Sequence, residues 1–383
     1  MKSDVTTKAL CFALACWVGI HHASAQATSA NVIEEPTRLP VKIGDRDYAL
    51  DVLIVRGLTD NRLPVALLTH GANPGDPRAA TLDWLRGWAH DLAHRGWLAV
   101  AVMRRGYGKS DGEVADEAGT CSVPNLGRYL DAHADDLEAT LHSIATRSDA
   151  DVGRVLAIGD SAGGAAVMAL AARRSVHLSA AVNISGGLGR HLGPFHPDPA
   201  CAPFESDLVW NFARFGRTAR MPTLWLYAEN DSWFRPGLVG RMRVAFTGSG
   251  GKAELVMLPP FRDDGHTLFY APGGRQLLLP ELDKFLGTNN LPTWNRASFA
   301  PLLAHLSPQD RQSVETYLRM PAEKALALGP DSGAYWQQGE RSLDEARSKA
   351  LAFCKEQANA ECSLAIENFS LVNQPAQPSS SSH

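Results

Sequence analysis

At 159–163 the chain reads Gly159-Asp160-Ser161-Ala162-Gly163, with a serine between glycines two positions away on either side. A serine hydroxyl attacks a carbonyl only when a general base takes its proton and a third group orients that base. Two later stretches carry the right side chains in acid-before-base order: Asp231 in LYAENDSWF and His266 in DDGHTLF. Glu229 stands in reserve for the acid, while Asp263 and Asp264 read as loop and cap residues that help hold the histidine. An oxyanion on the attacked carbonyl needs two N–H donors. Ala162, directly after the serine, supplies one, and Ala72 in HGANPG supplies the other, with His70 bracing that loop. Asp160 has no role that the sequence assigns.

These residues work only if the chain positions them. Short apolar runs without alternation, at 63–70, 97–103, 155–159, 180–186, 222–228 and 253–259, predict strands covered on both faces. Helical spacing falls between them at 82–95, 128–147, 162–173, 237–247 and 275–286. Strands alternating with helices predict an α/β fold, a mostly parallel sheet with helices on both faces. In such sheets chemistry collects at the carboxyl ends of the strands, where Ser161, Asp231 and His266 all fall. A β-hairpin is predicted at 40–55, and the Gly-, Pro- and His-rich stretch 188–220 reads as a short lid over the strand ends.

Lys2 and Lys8 precede an apolar stretch at 9–20, and Ala23-Ser24-Ala25 follows, the layout of a secretory signal cleaved near Ala25. That run is too short to span a bilayer, so no stable membrane insertion is expected after cleavage, and the protein is predicted to be periplasmic or secreted. Cys121, Cys201, Cys354 and Cys362 then remain, an even number in an oxidising compartment. Of three possible connectivities, 354–362 with 121–201 is preferred because Cys354 and Cys362 lie close together in the C-terminal segment. The expected layout is a signal at 1–25, a linker at 26–39, the catalytic domain at 40–287, a linker with a helix at 288–329, a small α+β module at 330–373 and a low-complexity tail at 374–383.

The five stretches LLTHGANPG, MRRGYGKSDG, GDSAGG, LWLYAENDSWF and DDGHTLF follow one another in the order of the α/β-hydrolase superfamily. Over residues 40–287 the chain resembles its dienelactone-hydrolase-like serine esterases. The resemblance implies hydrolysis of a carboxylic ester through an acyl-enzyme on Ser161, with His266 as base and then acid, and Asp231 holding its tautomer. Dienelactone hydrolases proper carry cysteine as nucleophile, so their own reaction is not implied. GDSAGG is similar to the hormone-sensitive-lipase-like esterases, but their HGGG loop is here only His70-Gly71-Ala72. The C-terminal segment resembles small cysteine-containing modules of exported bacterial proteins, which implies no activity.

A net charge of −4 and the absence of any long basic run exclude a nucleic-acid partner; a small acyl substrate is expected instead. GYGKSDG lacks the glycines of a nucleotide-binding loop, and no cofactor is expected. His90-Asp91-Leu92-Ala93-His94 falls short of the zinc-hydrolase pattern, because Asp91 stands where glutamate is needed and no third ligand is apparent. Arg104 and Arg105 are read as structural rather than as anion-binding. Two rival functions remain open: a serine peptidase or amidase acting on short peptides, and a non-catalytic binding protein on a hydrolase scaffold.

Overall fold

The computed structural model describes residues 32–73, 75–114, 118–189, 191–193, 196–197 and 201–372. The predicted signal and the C-terminal tail lie outside the described residues.

An antiparallel hairpin, β1 (Val32–Ile43) and β2 (Arg46–Gly57), opens the fold, turning at Gly44 with φ 59°. It begins at Val32, within the stretch read from sequence as a linker. β3 (Leu63–Thr69), α1 (Asp83–Ala93), β4 (Leu98–Val102) and α2 (Leu126–Ile144) follow. Next come β5 (Ala150–Asp160), α3 (Ala162–Ala171) and β6 (Ala180–Ile184). Two short strands, β7 (His191–Gly193) and β8 (His196–Pro197), precede α4 (Ala202–Gly216), β9 (Pro222–Ala228), α5 (Pro236–Gly248), β10 (Lys252–Leu258) and α6 (Gly274–Thr288).

Eight strands form one sheet in the order β1-β2-β4-β3-β5-β6-β9-β10. β1–β2 and β2–β4 pair antiparallel, and every other pair is parallel. Every residue of β3, β4 and β6 is buried, which explains why those runs show no alternation: helices cover both faces. Val52 and Ile54 of β2 pack into the layer under α2, α3, α4 and α5, while Leu53 and Val55 face α1 and α6. No helix among the described residues is long and apolar enough to cross a membrane.

The segment predicted as a lid divides in two. Phe204, Leu208, Phe212 and Phe215 of α4 are buried in the core, with Phe212 edge-on to Trp225 at 5.0 Å, so this half is a covering helix. Of the described residues in 188–220, only Leu188 and Gly189 border the cavity at the strand ends. A disulfide, Cys121–Cys201, joins the loop before α2 to the start of α4.

After α6 come α7 (Ala300–Leu303), α8 (Pro308–Arg319), β11 (Ala325–Leu328), β12 (Ala334–Gln337), α9 (Leu343–Ala358), β13 (Ser363–Glu367) and β14 (Ser370–Leu371). Their antiparallel sheet runs β12-β11-β13-β14. Phe299, Leu303, Val314, Tyr317 and Leu318 pack on one side of it against Leu326, Ile366 and Phe369. Most of this small core therefore comes from the stretch 288–329, read from sequence as a linker with a helix. The disulfide Cys354–Cys362 ties the end of α9 to the approach to β13. The module docks on α1: Asp91 accepts from the Ala322 N–H at 2.5 Å, and the Arg95 guanidinium lies 4.9 Å over the Phe369 ring.

Candidate active site

β5 ends at Asp160 and α3 begins at Ala162, so Ser161 occupies the whole turn, at φ 52° and ψ −123°. That conformation is strained for a residue with a side chain, and it lifts the hydroxyl clear of both elements. The turn is this tight only because its flanks are glycines. A Cβ on Gly159 would lie 2.2 Å from the Gly163 carbonyl oxygen, and one on Gly163 would lie 2.2 Å from that of His70.

Asp231 sits just past β9, 1 % exposed, with its Oδ1 accepting from the Trp233 and Phe234 N–H groups at 2.9 Å each. Glu229, the reserve acid, is exposed. His266 lies past β10 in a short 3-10 turn capped by Asp264, whose Oδ1 accepts from the His266 N–H at 2.9 Å. The same carboxylate accepts from Ser232 N–H at 3.0 Å and Ser232 Oγ–H at 2.6 Å, so Asp264 stitches the acid loop to the histidine loop.

Ser161 Oγ stands 3.1 Å from His266 Nε2, and His266 Nδ1 stands 3.2 Å from both Asp231 oxygens. An ionised carboxylate only accepts, so Nδ1 carries the proton and Nε2 offers a lone pair to the serine hydroxyl. Burial works to lower the His266 pKa; the hydrogen bond and charge of Asp231, with Asp160 and Asp264 behind it, outweigh that and raise it above the ordinary value.

Ala72 and Ala162 both line the cavity beside Ser161, and neither N–H has a hydrogen-bond partner among the described residues. The loop holding Ala72 is fixed from beneath. The Arg104 N–H donates to His70 Nε2 at 3.1 Å, which leaves His70 Nδ1 to donate to the Gly71 carbonyl at 2.6 Å. Burial, and then the Arg104 charge, push the His70 pKa well below its usual value, so the ring is a neutral strut. Arg104 is fully buried and donates to Thr69 Oγ1 at 2.7 Å and to the His70 carbonyl at 2.5 Å. Arg105 pairs with Asp136 at 2.5 Å. Neither arginine lines the cavity.

Tyr270 is the site residue that the sequence reading overlooked. Its Oη accepts from the Gly71 N–H at 2.9 Å and contacts the Asp160 carboxyl, linking the oxyanion loop to the residue before the nucleophile. Its only sequence signal is its place at the end of the short 3-10 turn that carries His266. Asp160 is 1 % exposed, its Oδ1 has no hydrogen-bond partner among the described residues, and burial pushes its pKa up to about 7.

The cavity holds about 360 Å³, and its walls are largely apolar, including Ala72, Leu188, Trp233, Phe234 and Ala271. That volume suits a small ligand. The ring centroids of Trp233 and Phe234 lie 5.6 and 5.5 Å from that of His266 and shield it from water.

Residues 78–223 match the family model described as serine aminopeptidase, S33. The domain has the α/β-hydrolase fold. The chain is similar to a putative dienelactone hydrolase from Klebsiella pneumoniae subsp. pneumoniae, at 20 % identity over 68 % of this chain and 99 % of that one, with a TM-score of 0.46. It is also similar to Est1E from Butyrivibrio proteoclasticus, solved with ferulic acid bound, at 16 % identity over 66 % and 98 %, TM-score 0.46. A third similar structure is the acylaminoacyl peptidase of Pyrococcus horikoshii, at 14 % identity over 69 % and 43 %, TM-score 0.46.

Proposed function

We propose that this α/β-hydrolase is an exported serine carboxylesterase that works through an acyl-enzyme on Ser161. The observation that carries the reading is the relay from Ser161 Oγ to His266 Nε2 at 3.1 Å and from His266 Nδ1 to Asp231 at 3.2 Å, opening onto an apolar cavity. Ser161 Oγ attacks the ester carbonyl as its proton passes to His266 Nε2, and Asp231 stabilises the imidazolium. The oxyanion meets the Ala72 and Ala162 N–H groups. Collapse expels the alcohol, protonated by His266 Nε2–H. Water, deprotonated by the same nitrogen, then releases the acid and restores the serine.

The apolar lining favours an ester with a small hydrophobic acyl or alcohol group. Export is supported by the basic and apolar N-terminal stretch with Ala23-Ser24-Ala25, and by two disulfides. A second reading, a peptidase or amidase on short peptides, draws on the family description.

Initial rates over aryl esters of graded acyl length, with an aminoacyl arylamide alongside, separate the two. The esterase reading expects kcat/KM to peak at a short acyl chain and to exceed that of the arylamide by orders of magnitude. Preference for the arylamide overturns it in favour of the peptidase.

A further inference from the structure

His90 in the last turn of α1 and His94, its C-cap, are four residues apart, the spacing that places two side chains on one helix face. The third ligand that the sequence did not reveal arrives from the C-terminal module. Glu323 lies in the turn between α8 and β11, and its Oε1 is 2.9 Å from His90 Nδ1 and 3.2 Å from His94 Nε2. All three ligand atoms lie within 4.8 Å of one another. We propose that His90, His94 and Glu323 form a site for a divalent transition-metal ion of the zinc type, which clamps the C-terminal module onto α1.

Four observations support it. The two nitrogen-to-Glu323 separations, 2.9 and 3.2 Å, are close to the roughly 3.4 Å that tetrahedral bonds of about 2.0–2.1 Å place between ligand atoms. The backbone at Glu323 has φ 57°, a left-handed conformation that side-chain-bearing residues avoid unless something holds it. The side chains of His90, His94 and Glu323 are only 17, 1 and 13 % exposed, so water competes little for their ligand atoms.

The fourth observation lies behind His90. Its Nε2 is 2.5 Å from Glu34 Oε1, on β1, and Glu34 is in turn paired with Arg86. With Nδ1 on the ion, Nε2–H donates to Glu34, the carboxylate-to-histidine support that orients metal-ligating imidazoles. Two nitrogens and one carboxylate oxygen favour zinc, cobalt or nickel over calcium or magnesium. Asp91, between the two histidines in sequence, has both oxygens engaged, by the Ala322 N–H at 2.5 Å and by Arg275 at 2.6 Å. It therefore has no oxygen free to activate a metal-bound water. None of the three ligands borders the cavity at Ser161, so the ion is structural.

The test uses the tag-free full chain, stripped with a chelator and dialysed, then titrated with Co²⁺ and Zn²⁺. One equivalent of Co²⁺ is expected to give the visible absorption of a four-coordinate site and to be displaced by Zn²⁺. Zn²⁺ is expected to raise Tm for the wild type and equally for Ser161→Ala. Glu323→Gln and His94→Ala are expected to weaken Zn²⁺ binding by about 100-fold or more. The wild-type spectrum does not depend on whether those variants fold. Absence of stoichiometric Co²⁺ and Zn²⁺ binding by the wild type overturns the proposal, and so does unchanged affinity in a folded Glu323→Gln.

Discussion

His266 meets a carboxylate at Nδ1 and a hydroxyl at Nε2, whereas His90 meets carboxylates at both ring nitrogens. Both clusters set imidazole against carboxylate. They differ in what faces the second nitrogen. Asp231 fixes one proton on His266 and leaves the other nitrogen a lone pair aimed at Ser161, beside an apolar cavity. His90 has no such nitrogen: Glu34 and Glu323 take both sides, and its surroundings are a seam between domain and module. A histidine with one carboxylate is poised for proton transfer, and one with two is poised to hold charge in place. The titration shifts agree in cause as well as direction. At His90, burial works to lower the pKa, and the hydrogen bonds and charges of Glu323 and Glu34 raise it overall.

The largest test of this contrast is removal of the relay. His266→Ala is expected to lower kcat on an aryl ester by about a million-fold with Tm little changed. A loss of only tenfold would mean that another group acts as base. Asp231→Asn comes next, with an expected loss of about ten-thousand-fold, because an amide that donates toward Nδ1 favours the wrong tautomer. Its Oδ1 can still accept from the Trp233 and Phe234 N–H groups, so the loop should survive, and an unchanged near-ultraviolet spectrum would show that.

The pH dependence sharpens the comparison further. Because the His266 pKa is raised, kcat/KM is expected to fall as pH drops through a value above 6.5, the ordinary histidine figure. Asp160 carries the opposite burden. Folded, it keeps its proton up to about pH 7, while an unfolded aspartate releases it near 3.8, so its ionisation destabilises the fold increasingly between those values and by a constant amount above them. Asp160→Asn is therefore expected to raise stability at pH 8 by at most about 4 kcal/mol and to be neutral near pH 4. Denaturant midpoints at the two pH values decide it, and equal effects at both would contradict burial as the cause. The smallest effect belongs to the seam. His90→Ala is expected to cost about 1–3 kcal/mol of stability, read as a lower denaturant midpoint. A kcat loss on the scale of Asp231→Asn would erase the distinction between the clusters.

The sequence was most legible where local chemistry and topology agree. A serine between glycines at a strand end, then an acid two sheet strands later and a histidine one strand after that, follow from the alternation of buried strands and helices, and the structure brings Ser161, Asp231 and His266 within hydrogen-bond reach. The disulfide pairing followed from proximity in the chain for Cys354 and Cys362. What was hidden depends on contacts distant in sequence. α4 was read as a lid because 188–200 is rich in Gly, Pro and His, yet the aromatic residues that follow seat its second half in the core. The stretch 288–329 reads as a linker with a helix, and that helix forms at Pro308–Arg319, but no local pattern shows that Phe299, Val314 and Tyr317 complete a core with Leu326, Ile366 and Phe369. Glu323 lies 229 residues from His94, and no local pattern announces that pairing.

The central claim is that Ser161 is a nucleophile, and covalent labelling tests it most directly. Incubation with a fluorophosphonate followed by peptide mass spectrometry should place a single adduct on Ser161 in the wild type and none on Ser161→Ala. Equal labelling of both proteins, or an adduct on a different residue, would contradict the account.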